Sequence, residues 1–116
     1  MDSSQGDGGM VESTVMSAVK RYLAALPHFG IHARKAVLFG SFARGENHQW
    51  SDIDLIVIAP EFDSVKTIEA VKKLWLATAG SDNRIEPIPC GEREWELESD
   101  RLILEIARRE GIVIAA

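Results

Sequence analysis

The apolar residues Val15, Val19, Tyr22, Leu23 and Leu26 recur at steps of three and four, the spacing that lines one face of an α-helix. A first helix is predicted from Ser13, closed by Pro27 and Gly30, because proline cannot continue a helix and glycine accepts the left-handed conformation at its end. The period then changes. Ala36-Val37-Leu38-Phe39 is a continuous apolar run that stops at Gly40-Ser41, as expected of a buried strand feeding a turn. Phe42 to Asn47 can wind into one short helical turn, and His48-Gln49-Trp50-Ser51 reads as a loop. From Asp52 to Ile58 the chain passes from alternation to unbroken apolarity, the pattern of a central strand whose first residues emerge at a sheet edge. Pro60 ends it.

Asp63 or Ser64 can cap a helix with Val65, Ile68, Val71 and Trp75 on one face and Gly80 as its stop, which places Trp75 in the core. Arg84-Ile85-Glu86-Pro87-Ile88-Pro89 alternates like a strand, but two prolines remove two backbone donors and confine such a strand to an edge or cut it short. The charged run Glu92, Arg93, Glu94, Glu96 and Glu98 reads as a solvated face. A last helix, capped by Ser99 and stopped by Gly111, turns Leu102, Ile103 and Ile106 inward, and Ile112-Val113-Ile114 adds a short strand. Strands and helices alternate, so the expected class is α+β: one small mixed sheet with helices packed on it.

A chain of 116 residues has room for one domain, burying roughly 60–70% of its unfolded surface. Met1 to Gly9 is acidic, rich in Gly and Ser and almost without apolar residues, so disorder is expected over residues 1–10 and a folded domain over 11–116. That segment lacks the basic start and apolar middle of a secretory signal. No apolar stretch approaches the roughly 20 residues that span a bilayer. The formal charge of −5 argues against a polynucleotide or an anionic lipid surface as partner, since both demand surplus Lys and Arg. Cys90 stands alone and can form neither an internal disulfide nor a thiolate zinc site. These features together point to the cytoplasm. His28, His32 and His48 have no regular metal-ligand spacing and carry no assigned chemistry.

Asp52 and Asp54 are two apart on a predicted strand, so the period of two sends both carboxylates to one face. Taken alone, an Asp-x-Asp pair in an acidic chain is a common accident. Paired hard oxygen donors also suit Mg²⁺, which takes one or two protein carboxylates and completes its shell with water and substrate phosphates. The Gly40-Ser41 junction ahead of them offers a second half to such a site: a glycine allowing close approach and the unpaired N–H groups of a helix start can receive phosphate.

Gly40-Ser41, Ala43-Arg44-Gly45 and Ser51-Asp52-Ile53-Asp54-Leu55 together, within the run Gly40 to Val57, resemble the signature of the DNA polymerase beta-like nucleotidyltransferase superfamily, in particular its minimal nucleotidyltransferase (MNT) branch. The resemblance in element order extends from about Ala36 to the closing Glu110-Gly111-Ile112-Val113. It implies that fold, with Gly40 and Ser41 holding the triphosphate, Asp52 and Asp54 ligating metal, and Arg44 supporting the phosphates or the local fold. It also implies a third acidic residue from a later strand, which bridges a metal and helps deprotonate the acceptor hydroxyl. Glu86 is the first candidate, although it is one methylene longer than Asp and immediately precedes Pro87; Asp82 is the second.

What the resemblance implies is a transferase using Mg²⁺, with two metal ions, and ATP or another nucleoside triphosphate. It would place a nucleoside monophosphate on a hydroxyl, chiefly AMP on a tyrosine of a helical HEPN-type partner, in an antitoxin role. Two other readings remain: a binding module that neutralises a partner by contact alone, and a small-molecule adenylyltransferase whose acceptor pocket is built by a homodimer.

Overall fold

The computed structural model describes residues 13–46, 51–63, 67–97 and 101–116. The expectations for residues 1–10, for His48, Trp50 and Val65, and for caps at Ser64 and Ser99 lie outside them. The first amphipathic pattern forms helix α1, Ser13–Ala25. It tightens into a 3₁₀ turn over Leu26–Phe29 that ends at Gly30 with φ 80°. The apolar run that follows is strand β1, Lys35–Phe39, and a single helical turn, α2, covers Ser41–Arg44. Strand β2 is Ile53–Ala59 and helix α3 is Thr67–Leu76. Strand β3 is Ile85–Gly91, followed by helix α4, Glu92–Glu96, helix α5, Leu102–Glu110, and strand β4, Ile112–Ala115.

The strands make one sheet in the order β3-β2-β1-β4. β1 pairs antiparallel with both β2 and β4, while β2 and β3 run parallel over seven residues. β2 is therefore central, as its continuous apolarity predicts, and Leu55 to Ala59 are fully buried. One face carries Ala36, Leu38, Ile53, Leu55, Val57 and Ile85 under α1 and α3. The other carries Val37, Phe39, Ile56 and Ile58 under Leu104 and Ala107 of α5, with Trp95 of α4 alongside.

Pro87 and Pro89 do not shorten β3. They are two apart, so both nitrogens face the same side of the strand, and the unbroken pairing with β2 puts that side at the sheet's open edge among the described residues. No ladder hydrogen bond is lost.

Helix α3 turns in a different phase from the expected one. Leu74 is fully buried while Ile68 and Trp75 are exposed, Trp75 at 48%; Trp75 is not a core residue. Two apolar stripes coexist on this helix, and the one with small residues wins. Ala70, Leu74 and Ala77 pack in the core with α1, where the buried Tyr22 hydroxyl donates to the Leu74 carbonyl at 2.7 Å. In α5, likewise, Leu104 and Ala107 face the sheet, Ile103 and Ile106 are half-buried and Leu102 is exposed. The helix end is fixed where Gly111 donates to the Ala107 carbonyl at 2.7 Å, at a point where any side chain on Gly111 would meet Val37.

The glutamate-rich run is a helix with bound side chains and not merely a solvated face. Asp63 accepts the Arg93 N–H at 3.2 Å, supplying an acceptor and a negative charge to the first turn of α4. Arg108 donates to the carbonyls of Glu94 and Trp95 at its other end, with its guanidinium 4.6 Å from the centre of the Trp95 ring. Glu94 pairs with Arg101 at 2.9 Å.

The phase of α3 is testable by denaturant unfolding. Leu74→Ala removes a fully buried side chain and is expected to cost about 2–5 kcal/mol; Trp75→Ala is expected to cost less than half as much, despite deleting the larger side chain.

Candidate active site

Asp52 immediately precedes β2 and Asp54 is its second residue. Asp54 stands opposite Phe39 of β1 on one side and opposite Glu86 of β3 on the other. Residues level with each other in adjacent strands point to the same face, so Asp54 and Glu86 share the face on which Asp52 also projects. Asp52 and Glu86 are exposed and Asp54 is half-buried.

The three carboxylates sense one another. A side-chain hydrogen bond with Asp52 is the largest influence raising the Glu86 pKa, followed by desolvation and by the negative charges of Asp52 and Asp54. Partial burial raises the Asp54 pKa, the Asp52 charge raises it further, and Arg44 opposes both. Among the described residues no three His, Cys, Asp or Glu side chains come together closely enough to hold a metal ion. The carboxylates are neighbours, not a complete ligand sphere.

Gly40 lies directly beneath this group. Its φ of 76° and ψ of −152° belong to a region essentially restricted to glycine, and a Cβ built there would collide with the Asp54 carboxylate. The turn that delivers Ser41 and the carboxylate of β2 are thus in contact through the missing side chain. Ser41 opens α2, whose first N–H groups have no acceptor within the helix, and Phe42 anchors that turn in the core. Arg44, at the end of α2, donates to Glu46 at 2.8 Å and to Glu110 at 3.5 Å. Those carboxylates, Glu46 first, hold its guanidinium above the ordinary arginine range.

Asp82 is not part of the carboxylate group. It accepts three bonds from Arg84, at 2.9 Å from the backbone N–H, 3.1 Å from Nε and 2.9 Å from Nη2, and the Arg84 side chain is the main cause of its lowered pKa. Glu110 and Arg84 carry no motif signal that would single them out in the sequence; the fold brings Glu110 beside Arg44 from 66 residues away, while Arg84 reaches Asp82 within one turn. Cys90 is fully buried and burial pushes its thiol up to about 12, so it offers no thiolate. His32 holds Glu61 at 2.7 Å, remote in register from the carboxylates. Two surface clefts, one lined by Phe29, Ile31, Glu61 and Lys73 and one by Leu23, Pro27, His32 and Ala116, also lie away from them.

A model of the nucleotidyltransferase domain matches residues 19–108, which takes in Gly40, Ser41, Arg44, Asp52, Asp54 and Glu86. The chain belongs to the nucleotidyltransferase domain family. Among solved structures, this nucleotidyltransferase domain is similar to a Sulfolobus solfataricus protein held to be a nucleotidyltransferase, with a TM-score of 0.59 and 16% identity over 97% of this chain and 90% of the other. At that identity the likeness speaks for a shared fold. No curated protein matches the sequence.

Nucleotidyltransferase domains generally work on a nucleoside triphosphate with a divalent metal. The donors in this domain fit such a cation: hard carboxylate oxygens, mutually repelling, with Arg44 the cation that acts on Asp54. An incomplete protein cage is compatible with the fit, because triphosphate oxygens and water supply the remaining ligands of a Mg²⁺-type ion. Among the described residues no helix is long and apolar enough to cross a membrane.

Two outcomes follow from this geometry. Gly40→Ala is expected to cost about 1–3 kcal/mol for the backbone conformation alone, plus the displacement of Asp54, measured by urea unfolding. The second concerns pH. Asp54 titrates near 3.8 when unperturbed and higher in the fold, so the folded state is penalised as pH rises above that value, fully once the folded pKa is passed. Asp54→Asn should therefore raise the melting temperature at pH 7, with the gap over wild type closing as pH falls toward 4.

Proposed function

We propose that this nucleotidyltransferase domain transfers AMP from ATP to a hydroxyl group of a partner protein, with Asp52, Asp54 and Glu86 as its catalytic carboxylates. The observation that carries the reading is the level pairing of Asp54 with Glu86 on adjacent strands, with Asp52 two residues before Asp54 at the start of β2. Asp52, Asp54 and Glu86 are the residues that would hold the metal. The bound cation, Mg²⁺ in this reading and two ions where both positions fill, supplies charge neutralisation for the triphosphate.

The chain's own residues do the rest. Gly40 keeps the turn in contact with Asp54, Ser41 and the N–H groups of α2 would receive the triphosphate, and Arg44 adds a positive charge at the same end of the sheet. Glu86, whose raised pKa favours proton sharing, accepts the proton of the incoming hydroxyl. The acceptor oxygen forms a bond to the α-phosphorus as the bond to the β-phosphate oxygen breaks, and pyrophosphate leaves. Positioning and electrostatics account for most of the rate.

The exposure of Asp52 and Glu86 favours an acceptor carried by another macromolecule, since a side chain can reach an open site without a pocket to enclose it. The net charge of −5 disfavours a nucleic acid in that place. By resemblance to minimal nucleotidyltransferases, the acceptor we assign is a tyrosine of a helical HEPN-type partner, and the role that of an antitoxin in the cytoplasm.

The test is transfer of label from α-³²P-ATP to host lysate proteins in Mg²⁺, with γ-labelled ATP as control. We expect a protein band labelled only from the α position and lost, by at least about 100-fold, in Asp54→Asn. An Asp54→Asn protein that labels like wild type would overturn the carboxylate assignment.

A further inference from the structure

We infer that Arg84 is a positioning residue that holds the third carboxylate strand in register with the glycine turn. The inference rests on the proposed role of Glu86. Arg84 lies two residues before Glu86, and two of its contacts land next to residues of the site. Its carbonyl accepts the N–H of Ile53 at 2.8 Å, and Ile53 separates Asp52 from Asp54. Its guanidinium sits 6.0 Å from the centre of the Phe42 ring, and Phe42 directly follows Ser41. Its N–H, Nε and Nη2 clasp Asp82, closing the turn from which β3 departs, a turn also held by the Ile85 N–H on the Asp82 carbonyl at 3.1 Å.

Three segments that supply the site thus meet at one half-buried arginine, whose side chain is 37% exposed beside an Asp82 at 17%. Its action is geometric. The bidentate fork on Asp82 and the planar face toward Phe42 are properties of guanidinium that an ammonium does not reproduce. Without them the beginning of β3 can move relative to β2 and α2, and a misplacement of about 1 Å at a reacting group is worth on the order of 100-fold in rate.

The experiment compares Arg84→Lys and Arg84→Met with wild type and Asp54→Asn. It reads kcat and KM for ATP in the labelling assay, together with amide hydrogen exchange at Ile53 and Glu86. Both Arg84 variants should lose kcat alike, on the order of 100-fold, with KM changed less than about threefold, and exchange at the two amides should quicken while the α1 and β1 amides keep their protection. Asp82→Asn, which keeps the arginine and weakens only the clasp, should fall between. A lysine variant with the wild-type kcat would assign Arg84 a charge role and overturn the inference, as would unchanged exchange at Ile53 and Glu86. If wild type transfers no label, the proposed function fails, and the exchange data still decide whether Arg84 fixes the two strands.

Discussion

Two carboxylates on different strands are held level with each other by seven in-register pairs between β2 and β3, and everything at the site depends on that register. A slip of one residue would send Glu86 to the opposite face of the sheet, into the layer occupied by α1 and α3. The register is secured from both sides. Leu55, Ile56, Val57, Ile58 and Ala59 are buried on both faces of β2, so no shifted alignment leaves the core intact, and Gly40 fits against Asp54 only in the observed one.

The cost of the arrangement is electrostatic. Burial first and then the Asp52 charge weaken the acidity of Asp54, and the charges of Asp52 and Asp54 add to hydrogen bonding and desolvation in weakening that of Glu86. A structure selected for stability alone would disperse these groups or replace one by an amide. Retaining them at the end of a well-packed sheet stores a demand for positive charge at one point, which a cation and the electropositive turn of α2 can meet together. The scaffold tolerates this because core residues flank the group on both faces of the sheet, Ile53, Leu55 and Ile85 in the layer under α1 and α3, Phe39 and Ile56 in the layer under α5.

Much of this was legible in the chain. The 3.6-residue period of Val15, Val19, Tyr22 and Leu26, the apolar runs of β1 and β2, and the Gly40-Ser41 and Asp52-x-Asp54 pairs are local signals, and local physics decides them. The phase of α3 was not legible, since Ile68, Val71 and Trp75 form as convincing a stripe as Ala70, Leu74 and Ala77. Packing with α1 and the bond from Tyr22 to the Leu74 carbonyl decide between them. Helix α4 was hidden for a similar reason: its first turn is capped by Asp63, thirty residues earlier. Choosing between Glu86 and Asp82 likewise needs the clasp of Arg84 on Asp82, which spacing alone does not reveal.

The two prolines of β3 bear on more than strand length. With Pro87 and Pro89 turned outward, that flank of the sheet shows carbonyl oxygens but lacks two successive N–H groups, so an incoming peptide strand finds half its partners missing. Neither a second copy nor an extended segment of another protein can dock by lengthening the sheet beside Glu86. A partner for this flank has to meet the domain on the face of the sheet at the strand ends, and not alongside it as a ribbon.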